Sequence, residues 1–320
     1  MTGLQTWLTG GPRPVWLRYL LLIAAASGII RFALGTPWMR ESAVLYVLIP
    51  YLIGIAIYLF TPVAKSDRFL ARLWRNLRTA LIVMMATSLL LFEGFLCVLV
   101  FLPIYVFFAL LAALIYPGPT ARDRSWRDKT RMSVIPVLVV ILSMDGIRGM
   151  DISFGPDRDV LVSRTATLEL TPAEIRSNII GHTYPEAGRT RFLALFPRPV
   201  AVEAQSLAVG ARHTAHMEYR RWGVPGLNVH KGTSIMEFTH NTETELRAQF
   251  IHDDTYLSHY MLFQSWALEM TPRADGQTDV TLTVGYERLL APAWYFGPLQ
   301  KRAVGDGLDY ALHAIIGGAA

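Results

Sequence analysis

The sequence predicts an α+β protein in which apolar N-terminal helices precede a domain of antiparallel strands and one long C-terminal helix. Three observations support this fold class. The chain of 320 residues is 52% hydrophobic and only 17% charged, against about 25% charged residues in an average soluble domain. Long apolar runs fill the first half, and apolar and polar residues alternate in the second. These patterns predict a transmembrane domain at residues 1–147 and a folded domain at residues 148–320.

The N-terminal half contains apolar runs long enough to cross a bilayer. Residues 15–35 and 43–63 are each about 20 residues long, which spans ~30 Å of hydrocarbon as a helix. A longer apolar stretch is interrupted by Glu93 and Gly94, and we interpret it as a hairpin of two spans, 77–93 and 95–116. The sequence AAASG within the first run resembles a signal-peptide cleavage site, but the apolar run continues beyond it, which favours a retained anchor.

The distribution of basic residues predicts how these spans are oriented. Basic clusters lie at 65–78 and 122–131, while the turn near Glu93 has no positive residue, so the positive-inside rule places both clusters and the amino terminus in the cytoplasm. A shorter run at 132–147 follows the second cluster and precedes several aspartates. It is interpreted as a short fifth span, which would place the C-terminal half outside the cytoplasm, or alternatively as a re-entrant or interfacial segment.

Charge and cysteine content narrow the range of partners. The net charge is +5, and most of the excess lies beside the apolar runs, where membrane topology would place it. We therefore predict the membrane as a partner and no nucleic-acid binding. The single cysteine, Cys97, excludes an intrachain disulfide.

The C-terminal half begins with a strand and a short helix. The sequence LVSRTATLEL at 161–170 alternates with period two, apart from Arg164 on the apolar face. A helix is then predicted from Pro172 to Gly181, with Thr171 as N-cap and Glu174 completing a capping box. Six further alternating stretches predict antiparallel strands at 199–209, 213–222, 233–240, 245–252, 261–271 and 278–288.

The last segment is predicted to be an amphipathic helix that packs on the sheet and does not span a membrane. Charged residues fill its other faces. Gly305 and Gly307 interrupt it, and we expect them where the helix backbone approaches the sheet closely. From Pro298 onward, the apolar stripe consists of Leu299, Val304, Leu308, Ala311, Leu312, Ile315 and Ile316.

The element order strand, helix, six strands, long helix resembles the helix-grip fold of the START-like (SRPBCC) superfamily. The whole chain is also similar to bacterial membrane proteins that attach a polyketide cyclase/dehydrase-like domain to several N-terminal spans. This resemblance implies a multi-pass protein of the bacterial plasma (inner) membrane, and it brings no catalytic residue and no cofactor. It is carried by VLIPYLIG (47–54), FEGFLCVLVFLP (92–103), TLELTPAEI (167–175), DTYLSHY (254–260) and YERLLAPAWYFGPLQKRAV (286–304).

A sheet that surrounds a helix leaves a cavity where the inward side chains do not fill it. Two interpretations stay open: a pocket for a hydrophobic or lipid-like small molecule, or a solid core. The first predicts a membrane-anchored binding protein, and the second a non-enzymatic protein-interaction module. The residues predicted to bind the ligand are Phe238, Phe250, Tyr256, Trp266, Tyr286, Trp294, Val304 and Leu308.

The sequence HDDTYLSHY at 252–260 is the densest polar cluster and suggests an alternative, enzymatic function. His252, Asp254 and His259 are candidates for acid–base chemistry in a cyclase-, dehydratase- or hydrolase-type reaction, although a solvated loop uses the same residue types. His213 and His216 lie on opposite faces of a predicted strand and cannot chelate together. No metal site and no cofactor are predicted.

Overall fold

A computed structural model describes residues 15–36, 39, 41–60, 69–90, 95–115, 126–147, 155, 157–181, 189–204, 206–220 and 229–316. The chain divides into two compact units, with the main boundary between Ile147 and Arg148.

The first unit is helical. Among the residues given above, no helix of this unit is both long enough and apolar enough to cross a membrane. The spans predicted at 15–35, 43–63, 77–93, 95–116 and 132–147 therefore gain no support from the structure, and the predicted turn at Glu93 lies outside the described residues. The helices are α1 (Val15–Gly35), α2 (Ile49–Phe60, preceded by a π-helical turn at Val44–Leu48), α3 (Phe69–Leu90), α4 (Phe95–Ile115) and α5 (Trp126–Ser143).

Two of these helices begin earlier than the apolar pattern predicts. Helix α3 starts at Phe69 and includes Arg72, Arg75 and Arg78, and helix α5 starts at Trp126. Arginine and leucine are good helix formers, so the helices extend into segments that were expected to be basic loops. After α5 the chain turns at Gly146, whose φ of 79° suits a residue without a Cβ.

The second unit is built around a seven-stranded antiparallel sheet with the spatial order β1-β7-β6-β5-β4-β3-β2. One helix, α6 (Pro172–Gly181), connects β1 to the rest of the sheet, and a second, α7 (Ala293–Tyr310), follows the last strand and continues as a π-helical segment, Ala311–Ile316. The strands are β1 (Asp159–Leu168), β2 (Arg198–Ala204), β3 (Arg212–Arg220), β4 (Val229–Asn241), β5 (Glu245–Asp253), β6 (Met261–Pro272) and β7 (Thr278–Arg288).

The pairing of the first strand with the last one defines the fold. Residues Asp159 to Leu168 of β1 pair with Glu287 to Thr278 of β7, and helix α7 packs on both strands. This arrangement confirms the predicted helix-grip architecture for the second unit. The inward side chains expected from alternation belong to its hydrophobic core, among them Met236, Phe238, Leu246, Leu268, Val280, Leu282, Tyr286, Val304 and Leu308.

Helix α6 begins where the capping pattern predicts. The Thr171 backbone N–H and hydroxyl each donate a hydrogen bond to Glu174 Oε2, both at 2.8 Å. In return, the Glu174 N–H donates to Thr171 Oγ1 at 3.4 Å. Because these bonds favour the charged carboxylate, they lower the pKa of Glu174. The capping box is thereby confirmed.

Helix α7 begins at Ala293 instead of near Pro298. Ala293 and Phe296 are both fully buried, so apolar burial stabilises the first turns. Proline inside a helix removes one backbone donor, and its ring crowds the carbonyl four residues earlier. Pro298 nevertheless lies within α7.

The two glycines of α7 have different surroundings. A Cβ at Gly305 would collide with the guanidinium of Arg164, which reaches across from β1 and donates from Nε to Asp309 Oδ2 at 3.2 Å. Gly305 therefore lies where the helix approaches the sheet closely, as expected. Arg164, on the otherwise apolar face of β1, extends towards the helix at this point. At Gly307, an added Cβ would have no neighbouring atom within 4 Å, so the expectation of close approach was wrong there.

Candidate ligand-binding cavity

A cavity of about 290 Å³ lies between the sheet and helix α7 in the second unit. This volume is at the lower end of the range for small-molecule pockets, roughly 300–1,000 Å³. Its wall is mostly apolar. The lining residues are Arg189, Leu193, Phe196, Pro197, Pro199, Ala215, Met217, Ser234, Phe250, Asp253, Thr255, Leu257, Met261, Phe263, Trp266, Leu282, Val284, Ala303, Val304, Gly307, Leu308, Tyr310 and Ala311.

Two of the register shifts in the sheet, those in the neighbouring strands β5 and β6, lie behind this cavity. In the β4–β5 pair, Ile235 pairs with His252 and Met236 pairs with Phe250, which leaves Ile251 as an extra residue. In the β6–β7 pair, Gln264 is extra in the same way, between Phe263 and Ser265. Such bulges bend the bulged strand and increase its twist. The phenyl rings of Phe250 and Phe263, which immediately precede the two bulges, are 5.4 Å apart and both line the cavity.

Half of the residues predicted to bind a ligand lie on the cavity wall. They are Phe250, Trp266, Val304 and Leu308. The other four lie elsewhere. Phe238 is buried behind Trp266, with ring centroids 6.3 Å apart. Trp294 is 45% exposed at the start of α7.

Tyr286 and Tyr256 are buried in other parts of the second unit. Tyr286 is fully buried in the core, and burial raises the pKa of its hydroxyl to about 12. Tyr256 stacks on Tyr219 at 4.3 Å and accepts a hydrogen bond of 3.0 Å from the Tyr260 hydroxyl. These residues are therefore part of the packed frame around the cavity.

The bulge at Ile251 decides which polar side chain of the 252–260 segment reaches the cavity. Simple alternation would place His252 on the same face as Phe250. Because the extra residue shifts the alternation by one position, Asp253 faces inward and lines the cavity. Its neighbours His252 and Asp254 have side chains that are 51% and 58% exposed.

Asp253 is a carboxylate with one satisfied oxygen and one unsatisfied oxygen. Its Oδ1 accepts the backbone N–H of Thr255 at 2.9 Å. Its Oδ2 is buried and has no hydrogen-bond partner among the residues that the structure describes. Burial raises the pKa of this carboxyl, although hydrogen bonds from Thr255 and the charge of His252 oppose the rise. Ser234, directly opposite on β4, lines the same wall.

The three candidate catalytic residues do not converge on the cavity. His252 Nε2 and Asp254 Oδ2 are 3.7 Å apart near the surface. Asp254 Oδ1 accepts hydrogen bonds from the backbone N–H and the hydroxyl of Thr233, and the backbone bond is the main cause of its lowered pKa. His259 Nδ1 is 3.3 Å from the carbonyl oxygen of Tyr256. None of the three lines the cavity.

One wall of the cavity comes from a segment that the sequence pattern did not identify. Arg189 Nη2 donates to the carbonyl oxygens of Leu193, Phe196 and Pro197, at 2.8, 3.2 and 3.4 Å. These bonds fold residues 189–197 into a compact turn whose apolar side chains face the cavity. The segment has neither a helical nor a strand period, so its proximity to α7 could be seen only in the structure.

In the part of the chain that the structure describes, no group of three His, Cys, Asp or Glu residues is arranged to hold a metal ion.

Comparison with known proteins yields similarity to solved structures alone. No family model matches the chain, and no curated protein does. The chain is similar to TTHA0849 from Thermus thermophilus (15% identity, 50% of this chain and 100% of that chain, TM-score 0.31). It is also similar to a START superfamily protein from Mycobacterium smegmatis (16%, 49% and 94%, 0.31) and to the Zhui aromatase/cyclase from Streptomyces sp. R1128 (13%, 50% and 93%, 0.32). Similarity at this level identifies neither a ligand nor a reaction.

Proposed function

We propose that the second unit binds a hydrophobic small molecule or lipid in the cavity between the sheet and helix α7. The observation that carries this proposal is the cavity of about 290 Å³ and its apolar wall. Protein interiors are packed as densely as organic crystals and contain few voids larger than a water molecule. An apolar space of this size beside a well-packed core is typical of a ligand site.

The cavity favours this function over the alternatives. A protein-interaction module with a filled core needs no such space. A cyclase-, dehydratase- or hydrolase-type enzyme needs acid and base groups within reach of a bound substrate. His252, Asp254 and His259 are not on the cavity wall, and Asp253 is the one carboxylate among the residues that line it, so ligand binding requires the fewest additional assumptions.

Mass spectrometry of the purified full chain tests the proposal. An organic extract of the protein should contain an apolar molecule in about equal molar amount to the chain, and that molecule should rebind after removal. The absence of any retained apolar molecule, together with no binding of a small aromatic probe such as naphthalene, would contradict the proposed function.

We also propose, from the sequence alone, that the apolar N-terminal region anchors this binding unit to a bacterial plasma membrane, with the C-terminal half outside the cytoplasm. The basic clusters beside the apolar runs support this orientation. An alkaline phosphatase fused after Ala320 should be active in a membrane fraction. An inactive phosphatase and a fluorescent cytoplasmic reporter at the same position would argue for the opposite orientation.

A further inference from the structure

The polar corner of the cavity consists of three residues: Ser234 on β4, Asp253 at the end of β5, and Thr255 just after it, all on the cavity wall. Other buried polar side chains of the second unit, such as His213 and Gln300, do not line the cavity. Among the described residues, Asp253 is the one that both lines this cavity and has a buried side-chain oxygen without a hydrogen-bond partner.

We propose, on the basis of the proposed ligand-binding function, that the ligand carries a hydrogen-bond donor, a hydroxyl or an amine, which binds Asp253 Oδ2. A buried acceptor that stays unsatisfied costs free energy, and a ligand that satisfies it recovers that cost on binding. The apolar body of the ligand would contact the ring walls, including Phe250, Phe263 and Trp266. The ligand class is therefore an apolar molecule with a donor group, such as a sterol-like alcohol, a phenol or a long-chain amine.

The state of the two Asp253 oxygens explains why a donor is favoured over an acceptor. Oδ1 already accepts the Thr255 N–H at 2.9 Å, and Oδ2 is the oxygen with no hydrogen-bond partner among the described residues. A carboxylate accepts hydrogen bonds from ligands and does not donate them.

The cavity wall also contains a cation, Arg189. Its Nη2 already donates to three backbone carbonyls. A ligand carboxylate would have to compete with those bonds at Nη2 and would also meet the negative charge of Asp253. This arrangement disfavours anionic ligands.

The test uses the full chain and a set of two-ring probes that differ in one substituent. Naphthalene has no polar group, 2-naphthol has a donor, 2-acetonaphthone has only an acceptor, and 2-naphthoate is an anion. Equilibrium dialysis at about pH 8, well above the ordinary carboxyl pKa of about 4, gives the affinity of each probe. We expect 2-naphthol to bind roughly tenfold more tightly than naphthalene, the ratio expected for one added hydrogen bond to a charged group.

The variant Asp253→Asn should change which probe binds most tightly. Because the Thr255 N–H needs an acceptor, the amide oxygen should take the place of Oδ1, and the amide nitrogen should then face the cavity as a donor. The preference should shift from 2-naphthol to 2-acetonaphthone. The matched control Asp254→Asn removes the same charge one residue away, outside the cavity, and should keep the wild-type order.

The outcomes separate this inference from the proposed function. If the wild-type chain binds naphthalene and 2-naphthol equally, prefers 2-naphthoate, or keeps its probe order in Asp253→Asn, the role of Asp253 is refuted while ligand binding stands. If no probe binds the wild-type chain, the proposed function fails at this cavity, and the inference fails with it.

Discussion

Asp253 and Asp254 are adjacent carboxylates with opposite environments. Asp253 faces the apolar cavity, and burial raises its pKa. Asp254 accepts hydrogen bonds from Thr233 at the surface, and its pKa is lowered. A raised carboxyl pKa means that the folded state holds its proton more strongly than the unfolded state, so ionisation destabilises the fold as pH rises. For a carboxyl whose pKa is lowered by folding, ionisation stabilises the fold as pH rises.

These two aspartates should therefore respond oppositely to substitution by asparagine. At about pH 7 we expect Asp253→Asn to raise the melting temperature of the full chain and Asp254→Asn to lower it. The Asp253 difference should shrink as the pH falls from the raised pKa of the folded state towards about 4, the ordinary carboxyl pKa. The Asp254 difference should shrink only below about 4, as the pH falls towards the lowered pKa of the folded state. Thermal unfolding followed by near-ultraviolet circular dichroism measures both effects. A loss of stability in both variants at neutral pH would contradict the assigned environment of Asp253.

At the same scale, the sequence predicts a polar segment, and the structure places a different side chain of that segment on the cavity wall. Residues 252–260 are the densest polar cluster of the sequence, and His252, Asp254 and His259 are its candidates for acid–base chemistry. The extra residue Ile251 reverses the alternation in β5, so Asp253 faces inward instead. A bulge cannot be recognised from the sequence pattern. In a bulge two residues of one strand lie opposite one residue of the partner, and both have the composition of ordinary strand residues.

At the scale of single elements, helix α7 both packs on the sheet and lines the cavity. Its residues Ala303, Val304, Gly307 and Leu308 line the cavity, and Gly305 accommodates Arg164 from β1. The ion pair between Arg164 and Asp309 is 38% and 50% exposed, so by itself it contributes little, of the order of 0–1 kcal/mol. Its main structural consequence is the requirement for a residue without a side chain at Gly305.

A double-mutant cycle on this helix tests that requirement. Alanine in place of a glycine in a helix interior stabilises by up to about 1 kcal/mol, and Gly307→Ala should gain this amount because nothing lies near the added methyl group. Gly305→Ala should gain less or lose stability, since its methyl group displaces the Arg164 guanidinium. In an Arg164→Ala background the two substitutions should have similar effects. Denaturant unfolding provides the free energies, and equal gains from both substitutions in the presence of Arg164 would contradict the packing described here.

The sequence predicts single elements best where the signal is local, either a helix-capping pattern or the alternation of a strand. The capping box at Thr171 and Glu174 and the alternation in β6 and β7 are local signals, and the structure has these elements close to the predicted bounds. The start of α7 was wrong because burial of Phe296, a tertiary effect, outweighed the local signal of Pro298. The wall at residues 189–197 was missed because backbone hydrogen bonds to Arg189 create it without any periodic pattern.

At the scale of the whole molecule, the sheet, the two bulges and the closing helix form the frame of one cavity. The inward faces of β6 and β7 supply its floor through Trp266, Leu282 and Val284, and α7 covers it. The resemblance of the element order to the helix-grip fold predicts this architecture. It left open whether the interior was hollow or filled, because that depends on how side-chain volumes meet across the sheet, which alternation does not specify.

Filling the cavity from helix α7 tests the central claim most directly. Gly307 lines the cavity with open space around it, so Gly307→Leu should place a side chain in the cavity while improving helix propensity. Lys301→Leu adds the same side chain at an exposed position of the same helix and serves as the matched control.

The measurement is equilibrium dialysis of naphthalene against the full-length wild-type chain and both variants, with melting temperatures recorded in parallel. We predict that Gly307→Leu loses affinity by about tenfold or more, the equivalent of ~1.4 kcal/mol, with a melting temperature at or above that of the wild-type chain. Lys301→Leu should bind as the wild-type chain does. Undiminished naphthalene binding by a folded Gly307→Leu variant would contradict the assignment of this cavity as the ligand site.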